Sequence, residues 1–422
     1  MKYSVVTFGC RVNQADSLGF EEELCRRGAT PASPESADVV VVNTCSVTSS
    51  ADQGARQTIR RIARENPNAK IVVTGCYATR RPEEVRGLPH VVDVVANDDK
   101  SGLVGLLTLD ESLTTAERFG SGEGACGAPV APGLGGRTAF TLRVQTGCAE
   151  SCSYCIIPST RGIPRSLSTH DILRQTARVA SAGFKEIVLT GVHLGSYGRD
   201  LNPRGSLADL LRAVADQPLP DGTLFRVSSL EPMDCSETVL DVMAASERFA
   251  PHFHLPLQHA SDRILRAMRR PYTAVYYRGL VEEIRRRFPD AAIGSDVIVG
   301  FPGETDDDFE RLTAFLKRSP LTHIHVFPYS DRPGTAAAKL PDRVDGRVIR
   351  DRGRIIREIS ATLSREFRDR QIGTTHRALT LDDGASAVTG NYLKVRIPRN
   401  QPRNVWVKVR LISHHDGELL AG

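Results

Sequence analysis

No run of 18 apolar residues occurs anywhere in the 422-residue chain, which excludes an ordinary membrane-spanning helix. The amino terminus shows no basic stretch followed by a long apolar one, so nothing there reads as a secretion signal. A strong charge of either sign is also missing. The formal net charge is +5, from 55 Lys and Arg against 50 Asp and Glu. Such a mild basic bias admits an anionic partner such as nucleic acid without requiring one. A hydrophobic fraction of 40% and a charged fraction of 25% are ordinary for a soluble protein. The length allows two or three domains, each with a core. The protein is expected in the cytoplasm. Its nine cysteines are then expected to be ligands or free thiols and not disulfides.

Six of those cysteines form two trios. Cys148, Cys152 and Cys155 stand at spacings of four and three, directly after the strand-like run Phe140-Thr-Leu-Arg-Val144. Three thiolates can ligate three irons of a [4Fe–4S] cluster, which leaves one iron open to a substrate or cofactor. Structural clusters and zinc sites usually take four protein ligands. A zinc site completed by His170 or another distant ligand is the competing reading. The second trio is Cys10, Cys45 and Cys76. Each lies just beyond a short β-branched run: Val5-Val6-Thr7-Phe8, Val39-Val40-Val41-Val42 or Ile71-Val72-Val73-Thr74. Continuous apolar runs suit a parallel sheet covered on both faces. In such a sheet the ligand crevice lies beyond the carboxyl ends of the strands, so these distant cysteines are expected close together in space.

The rest of the chain divides by pattern. Residues 1–118 read as an α/β domain with helices near 13–27 and 50–66, and the Gly- and Pro-rich 119–138, which contains Cys126, reads as a linker. Residues 139–370 repeat a strand–helix rhythm six times. That suggests a partial, open (βα)6 barrel related to the TIM architecture, with an arginine-rich helix over 343–370 packed on it. Residues 371–422 read as a small β-barrel-like module with strands near 377–381, 386–389, 392–397 and 405–412. The cysteine loop 148–155 opens at the carboxyl end of the first barrel strand, where barrels of this kind place their chemistry.

With Tyr154 just before its last cysteine, the loop resembles the cluster motif of the radical S-adenosylmethionine superfamily. The resemblance implies that the open iron chelates S-adenosylmethionine and that one electron cleaves it to a 5′-deoxyadenosyl radical. The chain further resembles the methylthiotransferases, which join an N-terminal domain with a second cluster to a radical domain and a C-terminal TRAM domain. Cys10, Cys45 and Cys76 match that second cluster in the contexts Phe8-Gly-Cys-Arg-Val-Asn-Gln14, Asn43-Thr-Cys-Ser-Val-Thr48 and Gly75-Cys-Tyr77. Other segments are similar to the branch acting on N6-threonylcarbamoyladenosine in tRNA. Among them are Gly191-Val-His-Leu-Gly-Ser-Tyr-Gly198, His252-Phe-His-Leu-Pro-Leu-Gln258, Met268-Arg-Arg-Pro-Tyr272 and Phe327-Pro-Tyr-Ser-Asp-Arg-Pro-Gly-Thr335. His259-Ala260 departs from the pattern, which has a small polar residue and then glycine there.

The resemblance implies two [4Fe–4S] clusters, S-adenosylmethionine, a reducing electron donor and a sulfur source, with the anticodon loop of tRNA as substrate at position 37. It also implies a product carrying a methylthio group at C2, an inert C–H position that acid–base chemistry does not activate. Asn13, Gln14, Asn43 and Thr44 are candidates to line the second cluster. Tyr154, Glu231, Gln258, Gly300 and Gly303 are candidates to hold S-adenosylmethionine. Lys394, Arg396, Arg399, Arg403, Lys408 and Arg410 are candidates for phosphate contacts, with Trp406 and Tyr392 either stacking on bases or packing the small module. His193, His252 and His254 fall near the expected mouth, with nothing in the sequence requiring them as ligands. Within the family, the alternatives are isopentenyladenosine in tRNA or an aspartate of a ribosomal protein. Outside it, the alternative is a non-catalytic iron–sulfur RNA-binding module.

Overall fold

The computed structural model describes residues 1–107, 132, 138–381, 383–398, 401–415 and 418–422. The expected linker, apart from Pro132 and Thr138, lies outside the described residues, as do Cys126 and Arg399. The chain forms two compact units. One comprises Met1–Val130, Gly147–Glu150 and Cys155–Ile163, and the other Ala131–Thr146, Ser151–Tyr154 and Pro164–Gly422.

The first unit is built on a parallel sheet of β1 (Lys2–Thr7), β2 (Thr30–Pro31), β3 (Val39–Thr44), β4 (Lys70–Gly75) and β5 (Val91–Val95), in the order β2-β1-β3-β4-β5. Two-sided burial explains the unbroken valine run. Val40 and Val42 pack with Ile59, Ile62 and Ile71 on one face. Val41 packs with Phe20, Leu24 and Val72 on the other. The helices Arg11–Arg26 and Ser49–Glu65 supply those covers. Thr48 starts the second by accepting a hydrogen bond from the Ala51 N–H at 3.2 Å. β2 and β5 are the edge strands that pattern reasoning does not find. β2 has two residues, and β5 leaves Val92 59% exposed, so neither carries a two-sided apolar run.

In the second unit the six expected strands occur as β6 (Ala139–Arg143), β9 (Glu186–Thr190), β10 (Leu224–Val227), β11 (His252–His254), β12 (Ala292–Val299) and β13 (His323–Pro328), with a two-residue ribbon of β7 (Gln145–Thr146) and β8 (Arg165–Ser166) beside them. They are parallel and ordered β6-β9-β10 and β11-β12-β13. An isolated parallel bridge from Phe225 to Phe249 joins β10 to the chain just before β11. The strands thus follow one another in chain order, but as two three-stranded sheets and not as one continuous sheet. The outer edge of β13 is occupied by the helix Gly346–Gln371. The Ser360 hydroxyl accepts from the Ile324 N–H at 2.8 Å and donates to the Ile324 carbonyl at 3.0 Å, while the Ser364 hydroxyl donates to the Thr322 carbonyl at 2.9 Å. At Thr322 and Ile324 the outer-edge groups are thus taken up by side chains, which blunts this edge against a further strand.

The intervening helices begin at polar caps. Ser168, Ser206, Ser236, Thr273 and Thr305 each accept from the N–H three residues on, a contribution of about 1 kcal/mol apiece. Ser261 is the exception, because its hydroxyl donates to Asp308 at 2.6 Å instead.

The C-terminal residues close into a barrel of β14 (Thr375–Thr380), β15 (Ser386–Thr389), β16 (Lys394–Arg396), β17 (Trp406–His415) and β18 (Glu418–Ala421), ordered β14-β15-β16-β18-β17. β18 is a strand the sequence reading misses. The Asp416-Gly417 pair before it is the available hairpin signal. The barrel docks at the amino-terminal ends of the parallel strands. Trp406 Nε1 donates to the Gly222 carbonyl at 2.9 Å, Asn404 Nδ2 to Gly183 at 2.7 Å, and Asn391 Nδ2 to Asp290 at 2.9 Å. Gly183, Gly222 and Asp290 precede β9, β10 and β12. Ala292, which opens β12, belongs to the same apolar core as Ala378, Val395, Val409 and Leu411 of the barrel.

Replacing Ser360 with alanine leaves both backbone groups of Ile324 without that partner. The expected result is a lower urea midpoint and a loss of about 1–3 kcal/mol, read from equilibrium denaturation of the full chain.

Candidate functional site

In the first unit the three cysteines sit where strands pass into helices. Cys10 precedes the helix Arg11–Arg26, Cys45 follows β3, and Cys76 follows β4 and opens the short helix Cys76–Arg80. Gly9 makes their approach possible. Its φ of 89° is left-handed, and a Cβ there would meet Cys45 Cβ at 2.5 Å and Sγ at 2.6 Å. Burial, with Cys76 and Cys10 adding to it against hydrogen bonds from the Val47 and Ser46 backbone, pushes the Cys45 thiol up to about 11. Ionising Cys45 beside two further thiolates is thus unfavourable, and three thiolates here call for a cationic centre among them.

The polar surroundings differ from the sequence expectation. Asn13 donates to the backbone carbonyls of Phe8 and Thr44, both at 2.8 Å. Asn43 donates to the Asn13 carbonyl at 2.9 Å and the Ser17 hydroxyl at 3.0 Å. The Thr44 hydroxyl donates to the Thr74 carbonyl at 2.5 Å. These donors are spent on holding the strand ends together and not on sulfur, and the Gln14 N–H donates to the Cys10 carbonyl at 3.1 Å, in the first turn of the helix. The groups that face sulfur are others. Asn97 Nδ2 lies 3.7 Å from Cys76 Sγ and also donates to the Thr160 carbonyl at 2.7 Å. Arg161, buried in the helix Ile157–Arg161, bonds Asn13 Oδ1 and lies 3.6 Å from Asp16. Burial opposes its charge, but Cys76, Asp16 and Cys10 outweigh that and raise its pKa. Lys100 Nζ reaches Asp16 at 2.6 Å and Asn43 Oδ1 at 3.1 Å, and burial lowers its pKa. One carboxylate thus stands between two buried cationic side chains, and the surplus positive charge suits an anionic thiolate centre. The signal for Arg161 in the sequence is its place six residues after Cys155.

The cysteines of the 148–155 loop are distributed over both units: Cys148 and Cys155 count with the first, Cys152 with the second. The Cys148 N–H donates to the Gly162 carbonyl at 3.0 Å. The N–H groups of Glu150 and Ile157 donate to the sulfurs of Cys148 and Cys155, each at 3.4 Å. In the second unit Arg270 Nη1 lies 3.1 Å from Cys152 Sγ, and Arg270 also pairs with Glu231 and donates from Nε to the Tyr272 hydroxyl at 3.1 Å. That hydroxyl in turn reaches the Pro256 and Leu257 carbonyls at 2.8 and 3.0 Å. Burial works against the Arg270 charge, yet Tyr154, Glu231, Tyr272 and Cys152 raise its pKa well above the ordinary value. Arg270 is a residue to which the sequence reading gives no role, although it lies in the motif Met268-Arg-Arg-Pro-Tyr272.

The candidate cofactor residues gather at the carboxyl ends of the second unit's strands. Glu231 lies four residues beyond β10 and is held by Arg270. Tyr154 packs against the cluster of Ile264, Met268, Ile298, Phe301 and Ala337. Gln258 has φ 64° and is locked to β12, its N–H donating to the Asp296 carbonyl at 2.8 Å and its carbonyl accepting from Ile298 at 2.9 Å. Gly300 and Gly303 both have left-handed φ values of 78° and 80°. Their N–H groups are already used, Gly300 donating to Glu304 Oε2 within the turn and Gly303 to the Asp342 carbonyl at 2.8 Å in a distant segment. The departure at 259 has a local explanation: His259 is fully buried and its Nδ1 accepts from the Ser261 N–H at 2.9 Å. His193 is paired with Asp234 at 2.7 Å.

Lys394, Arg396, Arg403, Lys408 and Arg410 are exposed on the C-terminal barrel. Trp406 is committed to docking: its indole N–H bonds Gly222, and the Arg377 guanidinium lies 4.1 Å from its ring centroid. Tyr392 packs on the Arg226 guanidinium at 4.7 Å and the His252 ring at 5.0 Å.

Comparison with known proteins places this geometry. Residues 2–97 match the family model described as uncharacterized protein family UPF0004, and residues 142–316 match the radical SAM superfamily. A threonylcarbamoyladenosine tRNA methylthiotransferase MtaB of Aquifex aeolicus is 38% identical over 404 residues, covering 94% of this chain and 96% of that protein. This chain belongs to the radical S-adenosylmethionine methylthiotransferases. A second relative of the MtaB name, from Bacillus subtilis, is 36% identical over 86% of this chain and 80% of its own length. A ribosomal protein uS12 methylthiotransferase RimO of a Roseiflexus strain is 33% identical over 96% of each. Among solved structures, the radical S-adenosylmethionine methyltransferase TsrM of Kitasatospora setae, with cobalamin and a [4Fe–4S] cluster bound, matches with a TM-score of 0.56 at 16% identity, over 80% of this chain and 76% of that one. That likeness concerns the fold. Membership in the methylthiotransferases brings S-adenosylmethionine and [4Fe–4S] clusters as cofactors. The residues present fit them: two cysteine trios, none of whose members is in a disulfide, with Arg161 facing one trio and Arg270 facing Cys152.

In a Cys152→Ala variant, iron per chain is expected to fall to about half, since only the first-unit trio then holds a cluster. Adding Arg161→Met is expected to lower the remaining iron further, measured by iron analysis after anaerobic reconstitution.

Proposed function

We propose that this enzyme converts N6-threonylcarbamoyladenosine at position 37 of tRNA to its 2-methylthio derivative. The observation that carries the reading is near-full-length similarity to relatives named for that activity, at 31–38% identity from Aquifex to Rickettsia. When bound, the reduced cluster and S-adenosylmethionine supply a 5′-deoxyadenosyl radical able to take hydrogen from an inert C2–H. The chain's residues divide the remaining work. Cys148, Cys152 and Cys155 hold the cluster that makes the radical, and Cys10, Cys45 and Cys76 hold the one that presents sulfur. Arg270 donates to the Cys152 sulfur, which would be a ligand of that cluster, and fixes Glu231. A donor to a ligating sulfur stabilises the reduced cluster and raises its potential. Tyr154, Glu231, Gln258, Gly300 and Gly303 are assigned to S-adenosylmethionine because they lie in the strand-end region where such folds bind ligands. The electron donor and the sulfur source are separate partners, and the reaction is placed in the cytoplasm with its tRNA. Consistent with that, no helix among the described residues is long and apolar enough to cross a membrane.

The basic residues of the barrel are assigned to the tRNA backbone. Their docking position argues for a particular part of it. The barrel caps the amino-terminal strand ends, whereas the cofactor residues lie at the carboxyl ends, about 20–25 Å away along β12 at 3.3 Å per residue. Lys394, Lys408 and Arg410 are therefore assigned to phosphates remote from nucleotide 37, along the anticodon arm. Arg396 and Arg403 share that surface.

Nucleoside mass spectrometry of tRNA from cells with and without the gene tests the substrate. Loss of the methylthio group from threonylcarbamoyladenosine alone is expected. Unchanged tRNA beside an unmodified ribosomal aspartate would transfer the reading to the protein substrate. Replacing Lys394, Lys408 and Arg410 together with glutamine should weaken tRNA binding and flatten its salt dependence by about two to three in log–log slope. S-adenosylmethionine cleavage in the absence of tRNA should stay unchanged.

A further inference from the structure

The strands β11, β12 and β13 lie side by side, with His254 opposite Gly294, Gly294 opposite His323, and Asp296 opposite His325. Because side chains alternate along a strand, His254, His323 and His325 project from one face of the sheet. One ring nitrogen or equivalent donor from each of the three lies within 4.8 Å of the others. We infer that these three histidines form a binding site for a late first-row divalent metal ion, zinc above all. The site is independent of the cysteine trios and of the tRNA reading.

The hydrogen bonds decide which nitrogens are open. His254 Nε2 lies 3.0 Å from Asp296 Oδ1. An ionised carboxylate only accepts, so Nε2 carries the proton and Nδ1 keeps its lone pair. His323 Nδ1 lies 3.0 Å from the Thr322 hydroxyl oxygen, which also accepts from the Ile293 N–H at 3.0 Å and lies 3.2 Å from the Ile293 carbonyl. With the hydroxyl proton on that carbonyl, Nδ1–H donates to the oxygen and Nε2 keeps its lone pair for a metal. These two open nitrogens share one space. A Cβ added to Gly294 would collide with His323 Nε2 and come within 2.9 Å of His254 Nδ1. Glycine at this place leaves room where any side chain would fill it. His325, exposed at the rim, faces both rings with centroids at 5.6 and 5.4 Å.

This is the arrangement that metal-ligating histidines show: one nitrogen aimed at a common point, the other held by a carboxylate or another oxygen that fixes tautomer and ring orientation. Imidazole suits zinc and its neighbours among the divalent ions. Three nitrogen donors leave one tetrahedral position for water or an anionic oxygen. Histidines serving only as core packing would not need two bare lone pairs turned toward each other over a glycine.

The test uses the full-length holoenzyme with both clusters assembled, so that the cysteines are already occupied. After dialysis against a weak chelator it receives one equivalent of zinc chloride and is gel-filtered. Metal content and zinc-edge X-ray absorption are then read. The wild type should retain about one zinc per chain, with nitrogen and oxygen neighbours at about 2.0–2.1 Å. His325→Ala, at an exposed position, should lose the ion, and Asp296→Asn should weaken its binding about tenfold. A wild type that retains no zinc overturns the inference. So does zinc with sulfur neighbours at about 2.3 Å, or zinc held equally by the His325→Ala variant. None of these readouts depends on turnover, so the outcome is separable from the nucleoside assay.

Discussion

The first unit depends on one buried carboxylate. Asp16 lies in the interior of the helix Arg11–Arg26 and faces two cations from distant parts of the chain, Lys100 at 2.6 Å and Arg161 at 3.6 Å. Losing one partner of a buried pair commonly costs about 3–5 kcal/mol, because the other charge is left uncompensated. Asp16 therefore locks the helix Ile157–Arg161, which follows the cysteine loop directly, onto the domain that carries Cys10, Cys45 and Cys76. It also sets the local charge. Two cations against one anion leave a positive excess beside the thiols, and that is the environment in which thiolate ligands and an anionic cluster are stable.

Arg270 plays the corresponding part in the second unit. One guanidinium serves Cys152, Glu231 and Tyr272 together, so a candidate cluster ligand and a candidate cofactor residue are oriented by the same planar fork. Tyr272 extends the chain of bonds to the carbonyls of Pro256 and Leu257, just ahead of Gln258. The segments after β6, β10 and β11 are thereby tied to each other at one end of the sheet. The opposite end is closed by the C-terminal barrel, whose indole and amide donors satisfy the carbonyls of the turns before β9, β10 and β12. Chemistry and docking occupy opposite ends of the same parallel strands.

Much of this was legible in the sequence, and the reasons are physical. The valine run 39–42 is buried on both faces and reads as a strand whatever surrounds it. The serine or threonine before most of the second unit's helices announces the cap that forms. The cysteine trios stand out because their spacing, and their place just beyond strand-like runs, are visible without knowing the fold. Three strands escaped for the converse reason: the edge strands β2 and β5 and the four-residue β18 are short or half exposed, and their pairing is decided by neighbours and not by their own pattern. The polar residues beside Cys10 and Cys45 show where proximity in sequence falls short: they do not donate to sulfur. Asn13, Asn43 and Thr44 stand next to cysteines in sequence, but their donors are claimed by buried carbonyls that no other group can satisfy.

By itself the sequence determined the family, the two cysteine trios proposed as cluster ligands and the order of elements, because cysteine spacing and apolar period are local properties of the chain. Only the tertiary structure decided which cations face those cysteines. Arg161 and Lys100 lie far from Cys76 and Asp16 along the chain, and Arg270 lies far from Cys152. Burial is what makes their charges matter, since an exposed arginine would be screened by water. Tertiary contact also decided that Trp406 serves docking, and it turned His254, His323 and His325 from unremarkable residues into a cluster with two open nitrogens over one glycine.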